Sequence, residues 1–169
     1  FKGLINKLIY IPIVIPEIVL GISLLSVYTL TRMELGMFTL ILSHIAFSIP
    51  FVILSVRSTL SDSLKIYEEA ANDLGASNFK TFFSVTLPYI MPGAISGMTL
   101  AFTLSLDDVG ISYFTSGPSS NTLPLKIYSM IKTGISPDVN ALSTLMLLVS
   151  IVILTLSAIV QVRKIGEEK

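Results

Sequence analysis

From Ala141 to Val162 the chain runs for 22 residues without a charged side chain. No other feature constrains the fold as tightly. A helix needs about 20 apolar residues to cross roughly 30 Å of hydrocarbon, and a backbone inside a bilayer must satisfy its own hydrogen bonds. The competing reading is a buried helix of a large soluble protein. Composition argues against it: 52% of the 169 residues are hydrophobic and only 13% are charged, about half the charge of an ordinary soluble domain, and the mean hydropathy is +0.81. Ser136-Pro137-Asp138 ahead of the run reads as a helix cap, a proline at the first helical position and an acid in the first turn. Arg163 and Lys164 close it.

Three further stretches have the length to span. Leu8 to Leu30 carries one charge, Glu17; Leu35 to Val56 carries none and holds His44; Tyr89 to Leu106 runs directly into Asp107 and Asp108. The reading is an all-α polytopic membrane protein, one transmembrane domain over residues 1–169, with spans at about 8–30, 35–56, 89–108 and 141–162. The first residue is Phe1 and not Met, so the chain reads as truncated at its N-terminus. Lysine and arginine placement sets the orientation. Lys2, Lys7, Arg57, Lys65, Lys80, Arg163, Lys164 and Lys169 fall on one side, against Arg32, Lys126 and Lys132 on the other. The first set is expected in the cytoplasm, and with it the C-terminus and the loop from 57 to 88. The opposite side has a short turn, Thr31 to Glu34, and a longer connection from Asp107 to Asn140, within which Leu123 to Ile135 reads as an interfacial or re-entrant helix.

Composition also excludes chemistry. With no cysteine and a single histidine there is no thiolate site and little basis for a metal centre. There is no basic face for nucleic acid, no catalytic triad, and no GxxxxGK[ST] phosphate loop. The chain therefore reads as a non-enzyme that binds no cofactor of its own. Pro12, Pro16, Pro50 and Pro92 are expected to kink their helices. Gly93 and Gly97 form a GxxxG spacing, which alone is weak evidence of close helix packing. His44 reads as a neutral interhelical hydrogen-bonding group, since no acid lies on its own face within a turn.

The loop between the second and third apolar stretches is the most informative segment. Leu64 to Leu74 is built of helix formers, and Gly75 stands where a helix stops. Asn78 to Leu87 reads as a second short helix with Phe79, Phe82 and Phe83 on its apolar face, and Pro88 precedes the next span. This predicts a helix–Gly–helix elbow, and the small side chains of Ala70 and Ala71 permit close approach by another surface. The order Glu69-Ala70-Ala71, three residues, Gly75, nine residues, then Val85-Thr86-Leu87-Pro88 resembles the EAA motif of the importer-type ABC permeases, with Val85 where that pattern has isoleucine.

The resemblance implies the MetI-like transmembrane fold, of which the last four of six spans are present. It implies that Glu69, Ala70, Ala71, Gly75, Leu87 and Pro88 form a coupling element docked on a cytoplasmic ATPase subunit, where ATP and Mg are bound. Further segments are similar to spermidine/putrescine permeases of the PotC type: Pro16-Glu17-Ile18-Val19, Leu42-Ser43-His44-Ile45, Ser48-Ile49-Pro50-Phe51, Ala101 to Asp108, Gly117-Pro118-Ser119, Leu123 to Met130 and Ser136 to Leu142. Those permeases have aspartate where this chain has Glu17. The partners implied are a second permease subunit of the PotB type, two ATPase copies, an extracytoplasmic polyamine-binding protein and the lipid bilayer.

Acids in a bilayer cost about 2.5–3.5 kcal/mol at its centre on insertion scales, and they mark a pathway or a pair. Glu17 falls mid-stretch in the first span, with no cation in the chain expected at its depth. Asp107 and Asp108 are adjacent, so they point about 100° apart on a helix. Ser105 and Asp108 share a face. The acids read either as a path for a cationic solute, with Ser105 as a hydrogen-bonding partner, or, for the Asp pair, as a hydrated helix end and, for Glu17, as half of a pair with a helix missing from this fragment. Phe102, Tyr113 and Phe114 are available for cation–π contact. A permease for iron, sulfate or another organic cation, and a membrane scaffold that only binds an ATPase, are the alternative functions.

Overall fold

A computed structural model describes residues 8–134 and 137–167. Within them the chain forms α1 (Ile11–Val14), α2 (Glu17–Leu30), α3 (Met37–Thr59), α4 (Asp62–Asp73), α5 (Asn78–Thr81), α6 (Leu87–Asp107), α7 (Gly110–Thr115), α8 (Leu123–Thr133) and α9 (Pro137–Glu167). No strand occurs among the described residues. Among the described residues, three helical runs are long and apolar enough to cross a membrane: Met37–Thr59, Asn78–Asp107 and Pro137–Ile159.

The first expected span is broken. Proline disfavours the helical conformation in the residue before it, and Ile15 is extended (φ −73°, ψ 131°). The helix that follows, Glu17–Leu30, has 14 residues. Glu17 therefore opens a helix. Pro50 and Pro92, by contrast, lie inside continuous helices.

The second departure concerns Pro88. Asn78–Leu87 is not a separate helix: α5, a π-helical turn over Phe82–Thr86 and α6 are one uninterrupted run. Pro88 has no N–H to give, and its ring crowds the carbonyl four residues back. The wider turn, in which the Leu87 N–H donates to Phe82 O, accommodates that crowding without stopping the helix.

Packing centres on α3 against α6. A Cβ on Gly93 would lie 2.6 Å from Thr59 Cγ2 and 2.8 Å from Ser55 O, and one on Gly97 would lie 2.9 Å from Val52 Cα. Only glycine lets these backbones approach so closely, and the GxxxG spacing is used as an interface. A second crossing joins α2 to α7, where a Cβ on Gly21 would lie 2.8 Å from Phe114 and 3.1 Å from Gly110 O. Tyr28 locks α2 to α3: its buried hydroxyl lies 2.8 Å from Ser43 Oγ and donates to Thr39 O at 3.2 Å. The connection between them turns on Arg32 (φ 56°), with Met33 N–H donating to Tyr28 O. The α9 helix starts with Pro137 and Asp138 as expected; the expected cap at Ser136 lies outside the described residues. It meets α6 through Ser157 Oγ, which donates to Thr99 Oγ1 at 3.0 Å. The apolar residues Leu145, Leu148, Val152 and Leu156 of α9 face outward.

Candidate functional site

Two regions carry the residues singled out from the sequence. The first is the elbow. The α4 helix ends in a Schellman turn: Gly75 is left-handed (φ 83°), its N–H donates to Asn72 O, and Ala76 N–H donates to Ala71 O. A side chain at Gly75 would meet nothing within 4 Å, so the backbone angle is what calls for glycine there. Ser77 then caps α5, accepting from Lys80 N–H.

The two arms are joined through side chains. Thr81 Oγ1 donates to Asn72 Oδ1 at 3.0 Å, and Thr86 Oγ1 donates to Glu68 Oε1 at 2.5 Å. Leu64 of α4 is buried, and Ser61 Oγ meets Tyr89 Oη at 2.5 Å at the base. Glu69 points away. It is exposed, with Lys65 at 3.7 Å as its ion-pair partner, a surface pair of little energetic weight. Ala70 is exposed and Ala71 half-buried beside it. The tip is apolar: Leu74 is 90% exposed and Phe79 76% exposed. Phe79, Phe82 and Phe83 form one aromatic cluster, with centroids 4.7 and 5.1 Å apart. The expected group thus divides, with Glu69, Ala70, Ala71 and Gly75 on the projecting arm and Leu87 and Pro88 at the foot of α6.

The second region lies where α6 gives way to α7. Asp108 is only 6% exposed, so it is not a hydrated helix end. Its carboxylate caps α7, accepting from Ile111 N–H at 3.1 Å, Ser112 N–H at 2.7 Å and Ser112 Oγ at 2.7 Å. His44 completes the cluster: Nδ1 lies 2.6 Å from Ser105 Oγ, Nε2 3.0 Å from Ser112 Oγ and 3.5 Å from Asp108 Oδ2. An ionised carboxylate only accepts, so the Ser112 hydroxyl must donate to it and can only accept from His44. A neutral ring satisfies every group with the proton on Nε2 and Ser105 donating to Nδ1. His44 is the interhelical hydrogen-bonding group expected, and among the expected path residues Ser105 and Asp108 belong to its network. A pocket of about 410 Å³, lined by Leu40, Ile41, His44, Ile45, Ser48, Ser105 and Thr122, opens on this network.

Asp107 and Glu17 differ from Asp108: both are exposed. Glu17 packs on α7, where a Cβ on Gly110 would lie 3.1 Å from Glu17 Oε2. Asp107 borders a cavity of about 260 Å³ with Val109, Pro124, Tyr128 and Ile131. A neighbouring cavity of about 380 Å³ is lined by Ile18, Val109, Gly110, Tyr113, Phe114, Tyr128 and Lys132. There the Lys132 ammonium sits 4.6 Å from the Tyr128 ring centroid and 6.0 Å from that of Tyr113. Sequence reasoning had named Tyr113 for cation–π contact but missed Tyr128 and Lys132. Their spacing on one helix, four apart, was the available signal.

Long apolar helices packed through glycines, with a structured elbow between two of them, define a polytopic helical membrane protein. The chain belongs to the family of binding-protein-dependent transport system inner membrane components, whose family model matches residues 1–164. It is 44% identical over 159 residues to the spermidine/putrescine transport system permease protein PotC of Escherichia coli, covering 94% of this chain and 60% of that protein. The Haemophilus influenzae PotC is 39% identical over 94% of this chain and 62% of its own length. The putrescine transport system permease protein PotI of Escherichia coli is 44% identical over 142 residues, 80% of this chain and 50% of that protein. The chain thus spans about 60% of the PotC relatives it matches.

Proposed function

We propose that this chain forms part of the translocation path of an ATP-driven polyamine importer and that its elbow transmits the ATPase cycle to that path. The observation that carries the substrate reading is the gathering of acids from separate helices at one break in the fold. Glu17 opens α2 against Gly110, and Asp107 and Asp108 end α6 within three residues of it. A polyamine is a flexible chain with several ammonium groups, and carboxylates placed along a cavity meet those charges in turn, each more strongly than in water. In this reading Glu17 and Asp107, both exposed, face the solute. Asp108 holds the shape of the site through α7 and His44. Tyr113 and Tyr128 already hold one ammonium, that of Lys132, which supports their fitness for another. The relatives that carry polyamine names agree with this assignment.

The elbow and the C-terminus face the cytoplasm in this proposal, as the lysine and arginine distribution favours. Nucleotide binding draws two ATPase subunits together, the elbow moves with them, and the path changes the side to which it is open. A second permease subunit completes the path and an external binding protein delivers the solute.

The test is uptake of labelled spermidine and putrescine by cells lacking their own polyamine importer, supplied with the full-length gene and its partner subunits. Glu17→Gln and Asp107→Asn should each cut uptake at least tenfold at normal membrane levels. Undiminished uptake in both would move solute recognition to other subunits. No polyamine uptake by the intact system would overturn the substrate assignment.

A further inference from the structure

The hydrogen bonds inside the elbow point to residues outside the EAA pattern. Glu68 and Asn72 lie four apart and so share one face of α4. Each meets a threonine of the returning arm: Asn72 meets Thr81 at the end of α5, and Glu68 meets Thr86 at the end of the π turn. The partners are five residues apart on the return, which matches the i→i+5 hydrogen-bond spacing of the π turn between them and not that of an α-helix. Between the two bonds lies a cavity of about 250 Å³, so the arms are held together here by hydrogen bonds and not by a packed apolar seam. The α4 helix buries only Leu64. With so little core, the angle between the arms rests on these two bonds together with the Ser61–Tyr89 bond and the Tyr67–Tyr89 ring contact at the base.

We propose that Glu68–Thr86 and Asn72–Thr81 form a latch that makes the elbow rigid, and that Glu68, Asn72, Thr81 and Thr86 are positioning residues for coupling. The latch rests on the reading of the elbow as the contact to the ATPase. Thr86 is the place where it acts on the path: it is the last residue of the π turn, one residue before α6 begins, and α6 carries both the Gly93–Gly97 interface and Asp107. A latched elbow passes a push to α6 as a lever does. An unlatched one lets the π turn absorb it. The charged partner strengthens the Glu68 bond relative to a neutral pair, so Glu68–Thr86 is the dominant half.

The experiment uses the full-length permease assembled with its partner permease and ATPase in proteoliposomes. Three variants are compared with wild type: Thr86→Val, which keeps the β-branched shape but removes the donor; Thr86→Ser, which restores it; and Glu68→Gln, which keeps an acceptor without the charge. Backbone amide exchange over residues 62–86 reads the latch itself, and polyamine imported per ATP hydrolysed reads coupling. Thr86→Val should speed exchange at residues 78–86 at least fivefold and lower the uptake-to-hydrolysis ratio at least threefold while hydrolysis continues. Thr86→Ser should return both to within twofold of wild type, and Glu68→Gln should fall between. Unchanged exchange in Thr86→Val, or a Thr86→Ser protein as impaired as Thr86→Val, overturns the latch. Should Thr86→Val fail to assemble, Thr81→Val and Thr81→Ser decide in the same way through the second bond. A wild-type complex that hydrolyses ATP but imports no polyamine overturns the solute reading, and amide exchange still judges the latch.

Discussion

Replacing Gly93 tests the interface on which the two central helices depend. A Cβ there would stand 2.6 Å from Thr59 Cγ2 and 2.8 Å from Ser55 O, against an ordinary contact of 3.4–4 Å. The α3 and α6 backbones must therefore part by about 0.8 Å at this point, or Thr59 must turn away; a backbone carbonyl cannot. Gaps of this size forfeit about a quarter to a half of the local dispersion contacts, and overpacking a tight interface costs about 1–3 kcal/mol. Alanine recovers about 1 kcal/mol of that through its higher helix propensity, so Gly93→Ala should cost about 1 kcal/mol. Gly93→Val has no such offset and more bulk, and should cost about 3 kcal/mol. For a chain of this size each kcal/mol lowers the thermal midpoint by about 2–4 °C. The assay is thermal unfolding of the assembled transporter in one detergent, with Gly36→Ala as the control. Gly36 is extended and a Cβ on it meets nothing within 4 Å, so that variant should lose no more than the roughly 0.5–1 kcal/mol of a changed N-cap. A Gly93→Val complex melting within about 1 °C of wild type would refute the claim that this contact is closed to side chains.

Other consequences follow from single contacts. Tyr28→Phe removes the hydroxyl shared by Ser43 and Thr39 and should destabilise the α2–α3 junction by about 1–2 kcal/mol, read as a lower melting point with little change in uptake KM. Gly75→Ala forces a left-handed residue at the end of α4 and should cost about 1–2 kcal/mol, visible as faster amide exchange across residues 71–76. Asp108→Asn keeps the shape but weakens the α7 cap and the His44 pairing, for about 1–3 kcal/mol. It should lower the melting point more than Asp107→Asn, while Asp107→Asn lowers uptake more per folded complex; the reverse order would exchange the roles given to the two acids.

Much of this protein was legible in its sequence because the signals are local. An uncharged run of 22 residues leaves a chain almost no option but a long helix in an apolar medium. The stop at Gly75 follows from its backbone freedom, and the elbow's exposed Phe79 and Leu74 follow from apolar residues in a polar loop. Spacing of this kind needs no knowledge of what lies opposite. Two local readings erred because competing effects met at one residue. At Pro16 the break prevailed over the apolar run, leaving Glu17 at a helix start. At Pro88 the helix prevailed over the proline, because a π turn supplied the room.

What only the tertiary structure decided is which distant groups meet. His44 and its partners Ser105 and Ser112 are 61 and 68 residues apart in the chain, and nothing on His44's own helix announces an acid. Asp107 and Asp108 are neighbours of the same type, and sequence separates them only by helix face; the turn into α7 buries one as a cap and leaves the other at a cavity. The GxxxG spacing, common and ambiguous in sequence, becomes an interface only because Ser55 and Thr59 stand opposite it. Local spacing fixes which elements form, since each helix satisfies its own backbone. Burial, pairing and close approach depend on the partner surface, which the folded chain alone supplies.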